Sequence, residues 1–125
     1  MYILRIVVTL ISLTLVCGIC LACQNSPALQ ANAGEDFDVN VGDSPTFDGC
    51  LSEGEIDNYK WTVLDAPDSM PEYDGKVIRE IDANCSFTLE ASMLADEVGE
   101  WEIELLVDDG QGNSSADTVM VSVVQ

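Results

Sequence analysis

The chain predicts an all-β domain, an antiparallel β-sandwich of about 95 residues, and three observations carry that reading. Short segments of alternating apolar and polar residues recur at intervals of roughly ten residues. Turn pairs rich in Gly, Asp and Asn separate them. The acidic residues are interleaved with apolar ones rather than gathered in a block, as on the solvent face of strands and unlike a disordered acidic tail. A total of 125 residues leaves room for one such domain, because the first two dozen have a different character.

Residues 1–22 carry Arg5 and then an uncharged apolar run from Ile6 to Ala22, after which Gln24-Asn25-Ser26-Pro27 is polar and small. This is the three-part form of an export signal. The run of 17 residues is long for a secretory core and at the short edge of what spans a bilayer. Leu21-Ala22-Cys23 resembles the lipobox of bacterial lipoproteins, although Cys20 stands where that pattern usually has Leu. The resemblance implies a signal peptide over 1–22 and lipidation of Cys23, which would begin the mature chain. An uncleaved membrane anchor is one alternative. Simple secretion is another, with Ala31-Asn32-Ala33 as an A-x-A cleavage site.

Residues 23–30 have no periodicity and read as a tether to a domain over 31–125. Phe37 to Val41 alternates and ends at the turn pair Gly42-Asp43. Ile56 to Leu64 puts Tyr59, Trp61 and Val63 on one face, and Trp101, Ile103, Leu105 and Val107 share a face in the next strong strand. Asp108 to Asn113 is a turn, and Val119, Val121 and Val123 face one way in the last strand. Val77 to Ile81 and Ser86 to Glu90 are weaker strands, and Ala91 to Val98 holds at most a brief helical turn.

Five cysteines sort by position. Cys17 and Cys20 leave with the leader, Cys23 takes the lipid, and Cys50 and Cys85 remain. In an exported domain such a pair is most simply a disulfide, the alternative being two separately buried thiols. Closing a loop of this length contributes roughly 3 to 4 kcal/mol on the chain-entropy estimate.

The charge excludes whole classes of partner. With 23 acidic against 4 basic residues, the net charge of -19 repels nucleic acid and anionic headgroups. The surface suits solubility in a salty environment, and it could instead attract divalent cations or a basic partner. The absence of His removes Ser-His and Cys-His nucleophile pairs, and two isolated Cys cannot complete a zinc site. Paired carboxylates could serve glycoside hydrolysis only in a cleft, for which a small sandwich has little room.

The order of residues is more specific than the fold class. Ala31-Asn32-Ala33-Gly34-Glu35-Asp36, Val39-Asn40-Val41-Gly42-Asp43, Phe47-Asp48-Gly49, then Ile56, Tyr59 and Trp61, then Gly99-Glu100-Trp101 and Leu105-Leu106-Val107-Asp108-Asp109-Gly110 together resemble the polycystic kidney disease (PKD) domain over nearly all of 31–125. That resemblance implies an immunoglobulin-like sandwich outside the cell, a spacer or interaction module without catalytic residues. Some members of that family bind calcium near the loop here occupied by Cys50-Leu51-Ser52-Glu53-Gly54-Glu55, which is short and carries Glu where Asp is common. Glu53 and Glu55, with Asp108 and Asp109, are therefore the candidate metal residues, since adjacent carboxylates on a turn can share a hard cation. A turn held by Asp and Asn side chains is the plainer reading of Asp108 to Asn113. Tyr59 and Trp61 could offer a sugar-stacking face, but their spacing assigns them to the core.

The sequence thus predicts a non-catalytic, membrane-anchored extracytoplasmic module for adhesion, spacing or interaction with an extracellular protein or polysaccharide. It calls for no cofactor unless calcium binds. The alternatives are a calcium-dependent module of the same fold and an accessory subunit of a secreted hydrolase.

Overall fold

The structure is a computed structural model and describes residues 27–125. The expected signal peptide and Cys23 lie outside the described residues.

Among the described residues seven strands form two sheets. They are β1 (Phe37–Asn40), β2 (Thr46–Asp48), β3 (Asn58–Asp65), β4 (Val77–Asp82), β5 (Ser86–Thr88), β6 (Gly99–Asp108) and β7 (Ser114–Val124). One sheet has the order β1-β7-β6-β3-β4, and the other pairs β2 with β5. A 3-10 turn at Pro71–Tyr73 and a four-residue helix, α1 (Ala91–Leu94), fill connections. This two-sheet arrangement is an immunoglobulin-like sandwich.

The long strands form where alternation is strongest. Tyr59, Trp61 and Val63 on β3, Trp101, Ile103, Leu105 and Val107 on β6, and Val119, Val121 and Val123 on β7 are all buried. Register brings them side by side, with Trp61 opposite Leu105 and Trp101 opposite Val121. The facing layer is aromatic. Phe47 of β2 stacks on Phe87 of β5 at 5.3 Å, and Trp61 lies 5.4 Å from Phe47 and 5.9 Å from Phe87. Fully burying side chains of this size contributes about 1.5–3 kcal/mol each, so this contact is what holds a two-stranded sheet too small to stand alone.

Three features depart from the sequence reading. First, the sandwich is not wholly antiparallel, since β1 runs parallel to β7. The chain enters at the end where β7 begins, climbs beside β7, and then crosses to β2 in the other sheet, so no hairpin reverses it. Second, β2 was not legible as a strand, because it has three residues and a single buried side chain, Phe47. Third, the tether ends earlier than residue 30. Gln30 and Glu53 exchange backbone hydrogen bonds of 2.9 and 2.8 Å, and Leu29 packs on the core.

The segment after Gln30 is fastened to β7 by side chains rather than by a regular ladder. The Ala31 N–H donates to Ser115 Oγ at 3.0 Å, the Ala33 N–H to Asp117 Oδ2 at 2.8 Å, and the Met120 N–H to Asp36 Oδ1 at 2.8 Å. Ala31 and Ala33 keep only 7% and 3% of their surface. These bonds give the molecule two distinct ends. One, the disulfide end, gathers the N-terminal segment, the 49–57 loop, the 83–85 connection and the β6–β7 turn. The other gathers the β1–β2 turn, the 66–76 connection, α1 and the C-terminus.

Candidate functional site

At the disulfide end Cys50 and Cys85 are joined across 35 residues with their Cα atoms 4.8 Å apart. Gly49 makes that approach possible. Its N–H donates to the Cys85 carbonyl at 2.7 Å, and a Cβ there would stand 2.8 Å from Leu105 Cδ2 and 3.3 Å from Trp61 Cζ2. The Cys50 N–H donates to Asp48 Oδ1 at 2.8 Å. Among the described residues, Asp48 and the two sulfurs form the one set of three ligating groups that converges, within 4.8 Å of one another. With both sulfurs in a disulfide, it offers no thiolate to a metal.

The four candidate metal residues occupy this same end but divide between tasks. Asp108 Oδ1 accepts the Gly110 N–H at 3.0 Å. Asp109 accepts the Gln111 and Asn113 N–H groups at 2.9 and 3.2 Å, and the Asn113 side-chain amide at 2.7 Å. Hydrogen bonds from the Asn113 side chain and the Gln111 N–H hold the Asp109 carboxyl below its ordinary value. Gly110, at φ +71°, lies against the Asp57 carboxylate in a conformation that a side chain would strain. The turn is thus built by its own Asp and Asn side chains. Glu53 acts through its backbone, on Gln30. Glu55 and Asp109 share the wall of a shallow groove of about 430 Å³ with Pro27–Leu29, and Asp108 and Glu53 lie outside it. Among the described residues no three of these carboxylates gather as ligands of one ion.

The candidate sugar-stacking face of Tyr59 and Trp61 belongs to the core. Trp61 and Trp101 are fully buried and Tyr59 nearly so. Six aspartates (Asp36, Asp48, Asp74, Asp108, Asp109 and Asp117) accept backbone N–H groups. Part of the acidity therefore closes turns and fastens segments rather than facing a ligand.

A second depression is one that the sequence reading missed. It holds about 480 Å³ and lies at the long side of the sandwich, between β1 (Phe37–Asn40) and the Asp43–Thr46 segment that leads into β2. The shortness of the run from Phe37 to the Gly42-Asp43 turn, with Pro45 soon after, was its one sequence signal.

No family model and no curated protein matches the chain. Among solved structures, the crystal structure of DIP-gamma IG1+IG2 is 12% identical, with a TM-score of 0.45, over 75% of this chain and 45% of that one. The CBM51-2 and INT domains of Clostridium perfringens ZmpB are 17% identical, with a TM-score of 0.42, over 80% of this chain and 20% of that one. The chain thus spans less than half the length of either. The fold assignment rests on the strand order and register described above.

Proposed function

We propose that this protein is a non-catalytic, PKD-like display module, held to the outer side of a membrane through its N-terminus. The observation that carries the reading is the way residues 29–36 are sewn into the domain. Cleavage after Ala31-Asn32-Ala33 would remove the bridge between Gln30 and Glu53, two buried alanines and their bonds to Ser115 and Asp117. That weighs against simple secretion and favours an attachment upstream, at Cys23 or through the apolar run itself. A disulfide fits the same oxidising compartment.

The four residues of chain from Cys23 to Pro27 span at most about 14 Å. On this reading the disulfide end faces the membrane and the β1–β2 turn faces away from it. The test is fractionation of cells that express Cys23→Ser. Release of the variant from the membrane fraction supports lipid attachment, retention supports an uncleaved helix, and a wild-type chain found wholly in the medium overturns both.

A calcium-dependent form of the module is a second reading, favoured by the wall that Glu55 and Asp109 share. It expects a thermal shift with millimolar calcium that sodium chloride does not reproduce, by the linkage of binding to stability.

A further inference from the structure

The geometry points to the gap between β1 and β2 as a docking slot for an extended segment of a partner protein that carries Lys or Arg and adds a strand there. Both sheets end on this side. Among the described residues β1 is the last strand of the larger sheet, and β2 has a strand partner only on its β5 side.

The backbone on each wall is available by alternation. The Val41 N–H donates to the Val124 carbonyl at 2.9 Å, so the odd residues of β1 turn toward β7 and Asp38 and Asn40 turn their N–H groups away. On the other wall the Leu89 N–H donates to the Pro45 carbonyl at 2.9 Å, and Gly49 donates to Cys85. The odd residues there face β5, and Thr46 faces outward. The Asn40 carbonyl is already occupied by the Asp43 N–H at 3.0 Å. Among the described residues this leaves the N–H and C=O of Asp38, the N–H of Asn40 and both groups of Thr46 as edge donors and acceptors beside one depression, and an exposed sheet edge of this kind is what strand addition pairs with.

Charge selects the occupant. The depression has Asp38 and Asp43 in its walls and, among the described residues, no cationic side chain. Lys60 and Arg79 belong to β3 and β4 at the other side of the larger sheet, and Lys76 directly precedes β4. A second copy would bring the same carboxylates and the same net charge of -19, and an anionic membrane would be repelled likewise. A basic extended segment meets both the open backbone and the carboxylates. The inference rests on the display-module reading, since it names the contact surface of that module. The two fail separately, because Cys23→Ser affects attachment alone.

The test uses the full chain in detergent, at about 0.15 M salt to suppress long-range attraction, and a fluorescein-labelled peptide of alternating Lys and Val followed by anisotropy. Saturable binding is expected. A peptide alternating Lys and Pro has the same charge but cannot pair as a strand, and should not bind. Asp38→Pro, set against Asp38→Asn so that the lost carboxylate is common to both, removes an N–H that β7 does not use and should weaken binding about tenfold further, the worth of one strand hydrogen bond. Methylating alternate backbone nitrogens of the Lys-Val peptide should do the same with the protein unaltered, which covers the case of a variant that misfolds. Equal binding of the Lys-Val and Lys-Pro peptides, no saturable binding, or indifference to N-methylation would overturn the proposal.

Discussion

The two long sides of the sandwich are finished differently. On the β4–β5 side the Arg79 guanidinium lies over the Phe87 ring at 5.4 Å, Ile78 packs on the core, and three residues carry the chain directly from one sheet to the other. On the β1–β2 side Phe37 meets Phe47 edge-on at 5.8 Å, and above them the sheets part into the depression. One side is sealed by a cation on an aromatic face and the other is lined by carboxylates. In a chain with four basic residues, the one cation packed on a core aromatic lies on the side that the fold closes, and among the described residues the depression lies on the side where none is packed.

That contrast can be broken at several points. The core contact shared by both sides is Trp61, which touches Phe47 and Phe87, so Trp61→Ala should cost roughly 3 to 5 kcal/mol in urea unfolding. A loss below about 1 kcal/mol would mean that the small sheet is held by something else. Replacing Cys50 and Cys85 together by Ser should cost roughly 3 to 4 kcal/mol and loosen β2 and β5 more than β6 and β7. An unchanged midpoint under reducing and oxidising conditions would contradict this. Arg79→Ala should open the sealed side at a cost of about 0.5–1 kcal/mol, whereas removing the Asp38 charge as Asn should leave stability unchanged.

The smallest effect concerns the β6–β7 turn. Because the folded Asp109 carboxyl sits below its ordinary 3.8, its contribution is complete above that value and drains away as pH falls through the folded one. Asp109→Asn should therefore narrow the stability gap to the parent as pH drops from about 5 to about 3. A gap that widens toward acid would reverse the sign and reject the assignment.

The long strands were legible in the sequence because period-two alternation of large residues, such as Trp101-Glu102-Ile103-Glu104-Leu105, admits one placement. The β6–β7 turn was legible for a local reason, since Asp109 bonds residues two and four positions on. What escaped is non-local. Asp36 reads as one acid among 23, yet its carboxylate reaches an N–H that is 84 residues away. The pairing of β1 with β7 depends on where the chain crosses between sheets, which no window of residues encodes. Glu53 became an ion-ligand candidate through the resemblance and Asp108 through its neighbour Asp109; the structure adds a backbone bridge at Glu53 and a turn hydrogen bond at Asp108, neither of which a sequence window shows. The open side has no side-chain motif, because its donors and acceptors are backbone atoms.

The most direct measurement of that openness is amide hydrogen exchange of the full chain, followed residue by residue. Asp38 and Thr46 should exchange fast while Val39, Val41 and Phe47, which turn toward β7 and β5, are slow. Protection of Asp38 and Thr46 as strong as that of these neighbours would show the gap to be closed and would contradict the account.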